Sequence, residues 1–266
     1  NGGLRIDDEA FWVSGTFGKV TLGETDGAFD WALSEIYSGT SLQDDHSTHV
    51  GAYWYTGMDG SYDNQIMRYE YSFGDFAVAI SAEQDDDLRA ISATNLAGDG
   101  ITADTILAVG GKWSGSMGGM DVGVGVGVQD NGTNTVVGLS ASAAMSNGFS
   151  VSLGYADLDG TAFHSASSNG FSSTVDSWAG IGVAYTQGPL TVAANYGTFD
   201  TVTVNGAADT SGADGYGIVV NYDLGGGVVA MAGWGHSDNP TTAAVGSGSW
   251  NGNGEDTFSL GLGMSF

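Results

Sequence analysis

The chain has no cysteine, two prolines in 266 residues, and only 5 basic side chains against 31 acidic ones. Without cysteine there is neither a disulfide framework nor a thiolate-ligated metal. The formal charge of -26 repels phosphate backbones, which excludes nucleic acid as a partner. Long apolar runs are missing too, and no segment approaches the roughly 20 residues of a transmembrane helix. A mean hydropathy of -0.01 does not separate a soluble chain from a transmembrane barrel, whose alternate strand residues face water. Proline is scarce while glycine numbers 46, with no Gly-X-Y period, so collagen is excluded and either disorder or glycine-tolerant β-structure remains. Seven Trp, 11 Tyr and 11 Phe argue against disorder, which is poor in aromatics.

What is present is a period of two. In the last twelve residues Phe258, Leu260, Leu262, Met264 and Phe266 fall on one face of a strand, and Thr257, Ser259, Gly261, Gly263 and Ser265 on the other. A strand of roughly 9 to 11 residues with one apolar face and an aromatic at its rim suits a tilted membrane-spanning strand. The pattern recurs in Phe149, Val151, Leu153 and Tyr155, in Met120, Val122, Val124, Val126 and Val128, and in Tyr216, Ile218, Val220 and Tyr222. It is seen again in Phe76, Val78 and Ile80 and in Leu190, Val192, Ala194 and Tyr196. From Val228 to Trp234 both faces are apolar or small, so periodicity leaves that segment's facing open.

The connections alternate in kind. Short ones fall at Phe17-Gly18, Gly74-Asp75, Ser114 to Gly119, Ser146-Asn147-Gly148, Gln187-Gly188-Pro189 and Asp223 to Gly227. The others, mostly longer and more polar, cover 24–64, 85–103, 130–134, 158–175, 201–212 and 237–254. Short periplasmic turns opposite longer external loops characterise up-and-down barrels of the outer membrane. Tyr71, Phe73, Trp113, Phe149, Tyr185, Tyr222 and Phe266 sit at the strand ends nearest the short turns or the terminus, as an interfacial girdle does. The reading is therefore all-β: a transmembrane antiparallel up-and-down β-barrel domain over residues 1–266, with about 13 strands beginning near Ala10. No basic n-region and apolar run open the chain at Asn1-Gly2-Gly3-Leu4-Arg5, so the sequence is expected to be mature or shortened at its front.

Several motifs resemble one family, the general porins of alphaproteobacteria such as purple bacteria. Phe11-Trp12-Val13-Ser14-Gly15-Thr16-Phe17-Gly18-Lys19-Val20-Thr21-Leu22-Gly23 followed by Asp26-Gly27-Ala28 resembles that family's strand, Phe-Gly turn and strand entering its constriction loop. Arg68 to Ala79 is similar to the strand pair after that loop, and Tyr216-Gly217, Tyr222 to Gly227 and the terminal strand are similar to its last three strands. The resemblance implies a 16-stranded barrel, with about three N-terminal strands not in this sequence, that assembles as a homotrimer and passes small hydrophilic solutes. It further implies the outer membrane of a Gram-negative bacterium, with outer-membrane lipid and lipopolysaccharide as surroundings. The expected activity is passive diffusion, not enzymatic catalysis.

By order, 24–64 corresponds to the loop that folds into the pore in that family. Its acids are Glu24, Asp26, Asp30, Glu35, Asp44, Asp45, Asp59 and Asp63. Lys19, Arg68, Glu70 and Lys112 fall on the small or polar faces of their strands and are expected to point into the lumen. Opposed acidic and basic walls set up a transverse field that favours ions and polar solutes over apolar ones, and the acidic loop predicts a cation preference.

Other constellations are weaker. Asp44, Asp45, His46 and His49 have a spacing that a metal can use, but on an exposed loop they are read as ordinary solvated side chains. Acidic runs such as Asp85-Asp86-Asp87 are read as solubilising loops, with Ca2+ bridging to an anionic lipid surface as the sharper alternative; no other cofactor is expected. Gly123-Val124-Gly125-Val126-Gly127 lacks dinucleotide-loop spacing. Two other functions compete: a barrel hydrolase using His164 or His236 with a serine on the outer wall, and a non-conducting structural or adhesive barrel.

Overall fold

A computed structural model describes residues 9–36, 49, 65–84, 105–132, 134–164, 173–204, 207–209, 213–238 and 255–265. Its strands are β1 (Ala10–Gly15), β2 (Gly18–Glu24), β3 (Gln65–Phe73), β4 (Phe76–Gln84), β5 (Thr105–Met117), β6 (Met120–Asp130) and β7 (Thr135–Met145). They continue as β8 (Phe149–His164), β9 (Ser173–Gln187), β10 (Leu190–Val204), β11 (Ala207–Asp209), β12 (Ala213–Gly225), β13 (Val228–Asp238) and β14 (Glu255–Met264). One short helix, α1 (Ala28–Ala32), follows β2. Thirteen strands pair in chain order as antiparallel neighbours in one sheet, with β11 attached beside β10. Among the described residues β1 and β14 each pair along one edge only.

The register explains the period of two. Val126 lies opposite Gly111 and Leu139, and Leu139 opposite Tyr155, so one face carries a continuous apolar row. That face is uncovered: Leu139 is 51% and Leu260 81% exposed. Such a surface is at home in lipid, not water. The alternate positions, among them Ser81, Gly125, Ser140, Ser152 and Asn195, are buried on the inner face. Pairing with β14 settles the facing of β13: Val228, Ala230, Ala232 and Trp234 stand opposite Met264, Leu262, Leu260 and Phe258, on the outward side.

Two boundaries differ from the sequence reading. β5 continues through Met117, so the expected turn from Ser114 shrinks to Gly118 and Gly119. Their φ angles of 61° and 82° supply the left-handed turn that closes a two-residue hairpin. On the long-loop side, β8, β9 and β10 run to 16, 15 and 15 residues and take up part of the expected loops 158–175 and 201–212. Roughly 9 to 11 tilted residues cross a bilayer, so these strands stand proud of it. There the outward positions become Asp157, Asp159 and Asp200.

Aromatics mark both edges of the apolar band. Near the short turns, Tyr71, Phe73 and Phe76 stack at 6.5 and 5.9 Å, and Phe149 meets Tyr185 at 4.6 Å. A second row, which the sequence reading did not recognise, contains exposed Tyr155, Tyr196 and Tyr216, with Trp234 5.6 Å from Tyr216. From Phe149 to Tyr155 the strand covers roughly 20 Å, comparable with the roughly 25 Å apolar band of outer-membrane barrels.

Candidate functional site

On the inner face, β2 places Lys19 opposite Glu70 and Thr21 opposite Arg68, and β3 in turn places Arg68 opposite Ser81 of β4. Lys112 reaches the same face from β5, opposite Ala77. Lys19 Nζ pairs with Glu70 Oε1 at 2.9 Å, and Arg68 Nη2 lies 3.8 Å from the same oxygen. These groups form one charged patch on adjacent strands.

The segment after β2 lies over this inner wall. Arg68 Nη1 donates to the carbonyl O of Asp26 and lies 3.9 Å from its Oδ2. The Arg68 side chain is 6% exposed while that of Asp26 is 54% exposed, so the cation is sealed under the loop and the acid faces the lumen. Lys112 Nζ donates to the carbonyl O of Trp31 at 2.8 Å and stands 3.8 Å from the centre of its ring. Two wall serines take up loop N–H groups: Ala28 N donates to Ser81 Oγ at 2.8 Å and Ser34 N to Ser140 Oγ at 2.9 Å. Arg68 and Lys112 are thus in contact with the described part of the loop and not on a wall opposed to it, while Lys19 pairs with Glu70.

Apolar packing completes the seat. Ala28, Phe29, Ala32 and Ile36 are fully or almost fully buried, at a spacing that suits one side of a helical turn and its continuation. Beneath them the wall carries glycines. A Cβ at Gly110 would collide with the carbonyl O of Ala28 and one at Gly125 with that of Ala32. At Gly127 and Gly138 it would come within 2.9 and 2.7 Å of the Phe29 ring, and at Gly180 within 2.8 Å of Ile36 Cδ1. The glycine face of β6, read from sequence only as small, is a docking track. Burying a phenylalanine there contributes about 2 kcal/mol.

Farther along, His49 is buried rather than solvated and touches the opposite part of the wall, with Nε2 2.7 Å from Asn195 Oδ1 on β10. Burial lowers its pKa from 6.5 to about 4, opposed by the Asn195 hydrogen bond. The described loop residues therefore contact the inner wall from β3 to β12.

Of the remaining acids, Glu24 ends β2, Asp30 lies in α1 and Glu35 is exposed beyond it. Asp44, Asp45, His46, Asp59, Asp63 and Phe266 lie outside the described residues, as does the side chain of His164. Phe258, Leu260, Leu262 and Met264 occupy the outward face of β14. His236 is outward too, with Nδ1 2.8 Å from Asp256 Oδ1 and its ring 5.3 Å from that of Tyr216. Its cross-strand partners are Tyr216 and Asp256, neither of them a serine. Among the described residues no group of three or more His, Asp or Glu side chains is arranged to hold a metal.

The wall, its inward loop and its apolar exterior accord with one comparison above all: the family model for Gram-negative porins matches residues 1–242. The chain belongs to the Gram-negative porin family. The porin is an outer-membrane, multi-pass β-barrel protein. Among solved structures it is similar to a porin refined at 1.8 Å, with 23% identity, 96% of this chain and 80% of that one covered, and a TM-score of 0.59. Two mutants of the Rh. blastica porin are also similar, at 17% and 19% identity and TM-scores of 0.54 and 0.55, each with 97% of this chain and 76% of that one covered. No curated protein matches the chain. Between the seated loop and the short turns, the porin has a cavity of about 770 Å³ whose lining includes Ser72, Ser114, Ser142, Ser150, Ser152 and Thr186. Hydroxyls there can replace the water contacts of a passing solute.

Proposed function

We propose that the protein is a general diffusion porin whose water-filled lumen passes ions and small hydrophilic solutes, is narrowed by the loop of residues 24–64, and prefers cations. The observation that carries this reading is the seated loop: its apolar side packs on wall glycines, its cationic neighbours are spent holding it, and Asp26 faces the lumen. Lys19, Arg68 and Lys112 are each engaged with Glu70 or with the loop backbone. Anions thus meet few uncommitted positive groups, while the chain as a whole carries -26. A cation entering a narrow, acid-lined aqueous passage is concentrated by the local potential, and an anion is depleted. Apolar solutes lose ordered water and gain no polar partner from the cavity's serines, threonine and charged groups.

Membership of the porin family supports the remaining partners: lipid and lipopolysaccharide around the apolar belt, and two further copies of the chain in a trimer. Planar-bilayer recording tests the reading. Discrete, ohmic single-channel steps are expected, with a reversal potential across a KCl gradient of the sign set by K+. Anion-selective reversal would overturn the cation preference, and a protein that inserts without conducting would overturn the channel in favour of a structural barrel. Chemical cross-linking of the purified protein in detergent should stop at three copies.

A further inference from the structure

We infer that the cavity between α1 and the short turns is a binding subsite for neutral polyhydroxylated solutes, the sugar and polyol class, which it holds during passage. This rests on the channel reading above. The volume of about 770 Å³ lies within the roughly 300–1,000 Å³ of small-molecule sites. Its wall carries a row of hydroxyls in register across four strands. Ser114 of β5 stands opposite Gly123 of β6, Gly123 opposite Ser142 of β7, and Ser142 opposite Ser152 of β8. One step nearer the turns, Ser150 lies opposite Ala144 and also lines the cavity. Neighbouring strands lie about 4.8 Å apart, so Ser142 and Ser152 are adjacent, and Gly123 leaves a gap of one strand before Ser114. A Cβ at Gly123 would lie 2.8 Å from Ser142 Oγ, so the glycine keeps room around that hydroxyl.

Small size alone does not account for these serines. Where α1 covers the wall, β5, β6 and β7 set Gly110, Gly125, Gly127 and Gly138 against it. Past that seat, the inward positions of β5 and β7 become Ser114 and Ser142. Ser140 stands at the border, and its hydroxyl accepts the N–H of Ser34. Glycine or alanine would suffice for a wall that only had to leave space, whereas hydroxyls add donors and acceptors.

The charged groups on the described lining are Asp75, Lys112 and Asp121. Lys112 is engaged with the carbonyl O and ring of Trp31, Asp121 accepts from Ser116 Oγ at 2.7 Å, and Asp75 belongs to the turn between β3 and β4. None of the three interrupts the row from Ser114 to Ser152. Each serine hydroxyl offers one donor and two acceptor lone pairs, the same set that each hydroxyl of a sugar offers. A polyol therefore exchanges water contacts for wall contacts group by group, while an ion meets no opposite charge in the row. Neutral hydrogen bonds are individually weak, so the solute is held briefly and then released.

The test is single-channel recording of the full protein in KCl, with D-glucose as the probe and a short polyethylene glycol as the comparison solute, which donates hydrogen bonds only at its ends. Wild type should show excess open-channel current noise that rises and saturates with glucose concentration, and at least tenfold less noise with the polyether. The double change Ser114→Ala with Ser142→Ala should raise the half-saturating glucose concentration at least tenfold, at about fivefold for each neutral hydrogen bond lost. If that variant fails to insert, Ser150→Ala decides, with an expected shift of about fivefold. Equal noise from glucose and polyether would overturn the subsite and leave the channel reading standing, as would a half-saturation point that the serine variants do not move. A wild type that conducts nothing would overturn the channel reading, and the subsite with it.

Discussion

Arg68 shows how a single side chain can bear on both stability and selectivity. Its guanidinium is almost fully buried between Asp26 and Glu70 and donates to a loop carbonyl. A buried charge-assisted hydrogen bond contributes about 2 kcal/mol, and its loss leaves the acceptor unpaired. Arg68→Met should therefore loosen the loop by about 2 kcal/mol and remove a positive charge from the wall. Its single-channel conductance should rise and become more variable, with a reversal potential closer to the ideal value for K+. A variant with wild-type conductance and selectivity would show that Arg68 does neither. From sequence Arg68 is legible as an inward residue by parity alone; that it lies under the loop depends on Asp26, 42 residues away.

At the scale of elements, the informative pair is α1 and the strands beneath it. The helix is only five residues long and its own N-cap residue, Gly27, supplies no side-chain cap, so it cannot persist alone and depends on the track it packs against. Gly125 and Gly111 make the matched experiment. A Cβ at Gly125 would collide with the Ala32 carbonyl, while one at outward Gly111 meets nothing nearer than 4.0 Å. Gly125→Ala should cost about 1 to 3 kcal/mol through overpacking, lift α1, and change the conductance. Gly111→Ala should leave conductance and thermal unfolding unchanged. Both glycines belong to regular strands; parity marks Gly125 as an inward, small position, but nothing local marks it as lying under a helix. The missed signal was the spacing of Ala28, Phe29, Ala32 and Ile36 within an acidic segment, which marks one side of that segment as apolar.

Among the described residues the barrel is inside-out relative to a soluble domain, with its widest apolar surface outside and buried polar side chains such as Arg68, Gln129, Ser140 and Asn195 on the inner face. Substitution should respect that inversion. Leu139→Arg, in the middle of the apolar band of β7, should cost about 2 to 4 kcal/mol and lower the yield of refolding into lipid vesicles. Ser142→Arg, on the inward face of the same strand, should refold normally and shift the reversal potential towards anions. Equal refolding yields would contradict the assigned facing. The outward acids Asp157, Asp159 and Asp200 occur where β8 and β10 have risen past the second aromatic row, so their charges do not enter hydrocarbon.

Sequence by itself determined the repeating element of this protein. Lipid on one side and water on the other demand an alternation, and that constraint is written locally in neighbouring pairs such as Phe149-Ser150 and Leu260-Gly261, though not from Val228 to Trp234. The alternation of turns with loops likewise determined the up-and-down order of the strands. Only the tertiary structure decided what the inner face does. Phe29 meets Gly127 and Gly138, Lys112 meets Trp31, and His49 meets Asn195. Each contact joins residues distant in the chain, and each wall residue looks the same in sequence whether it faces water or a loop. Lumen geometry is a property of non-local pairing, which period-two patterning does not encode.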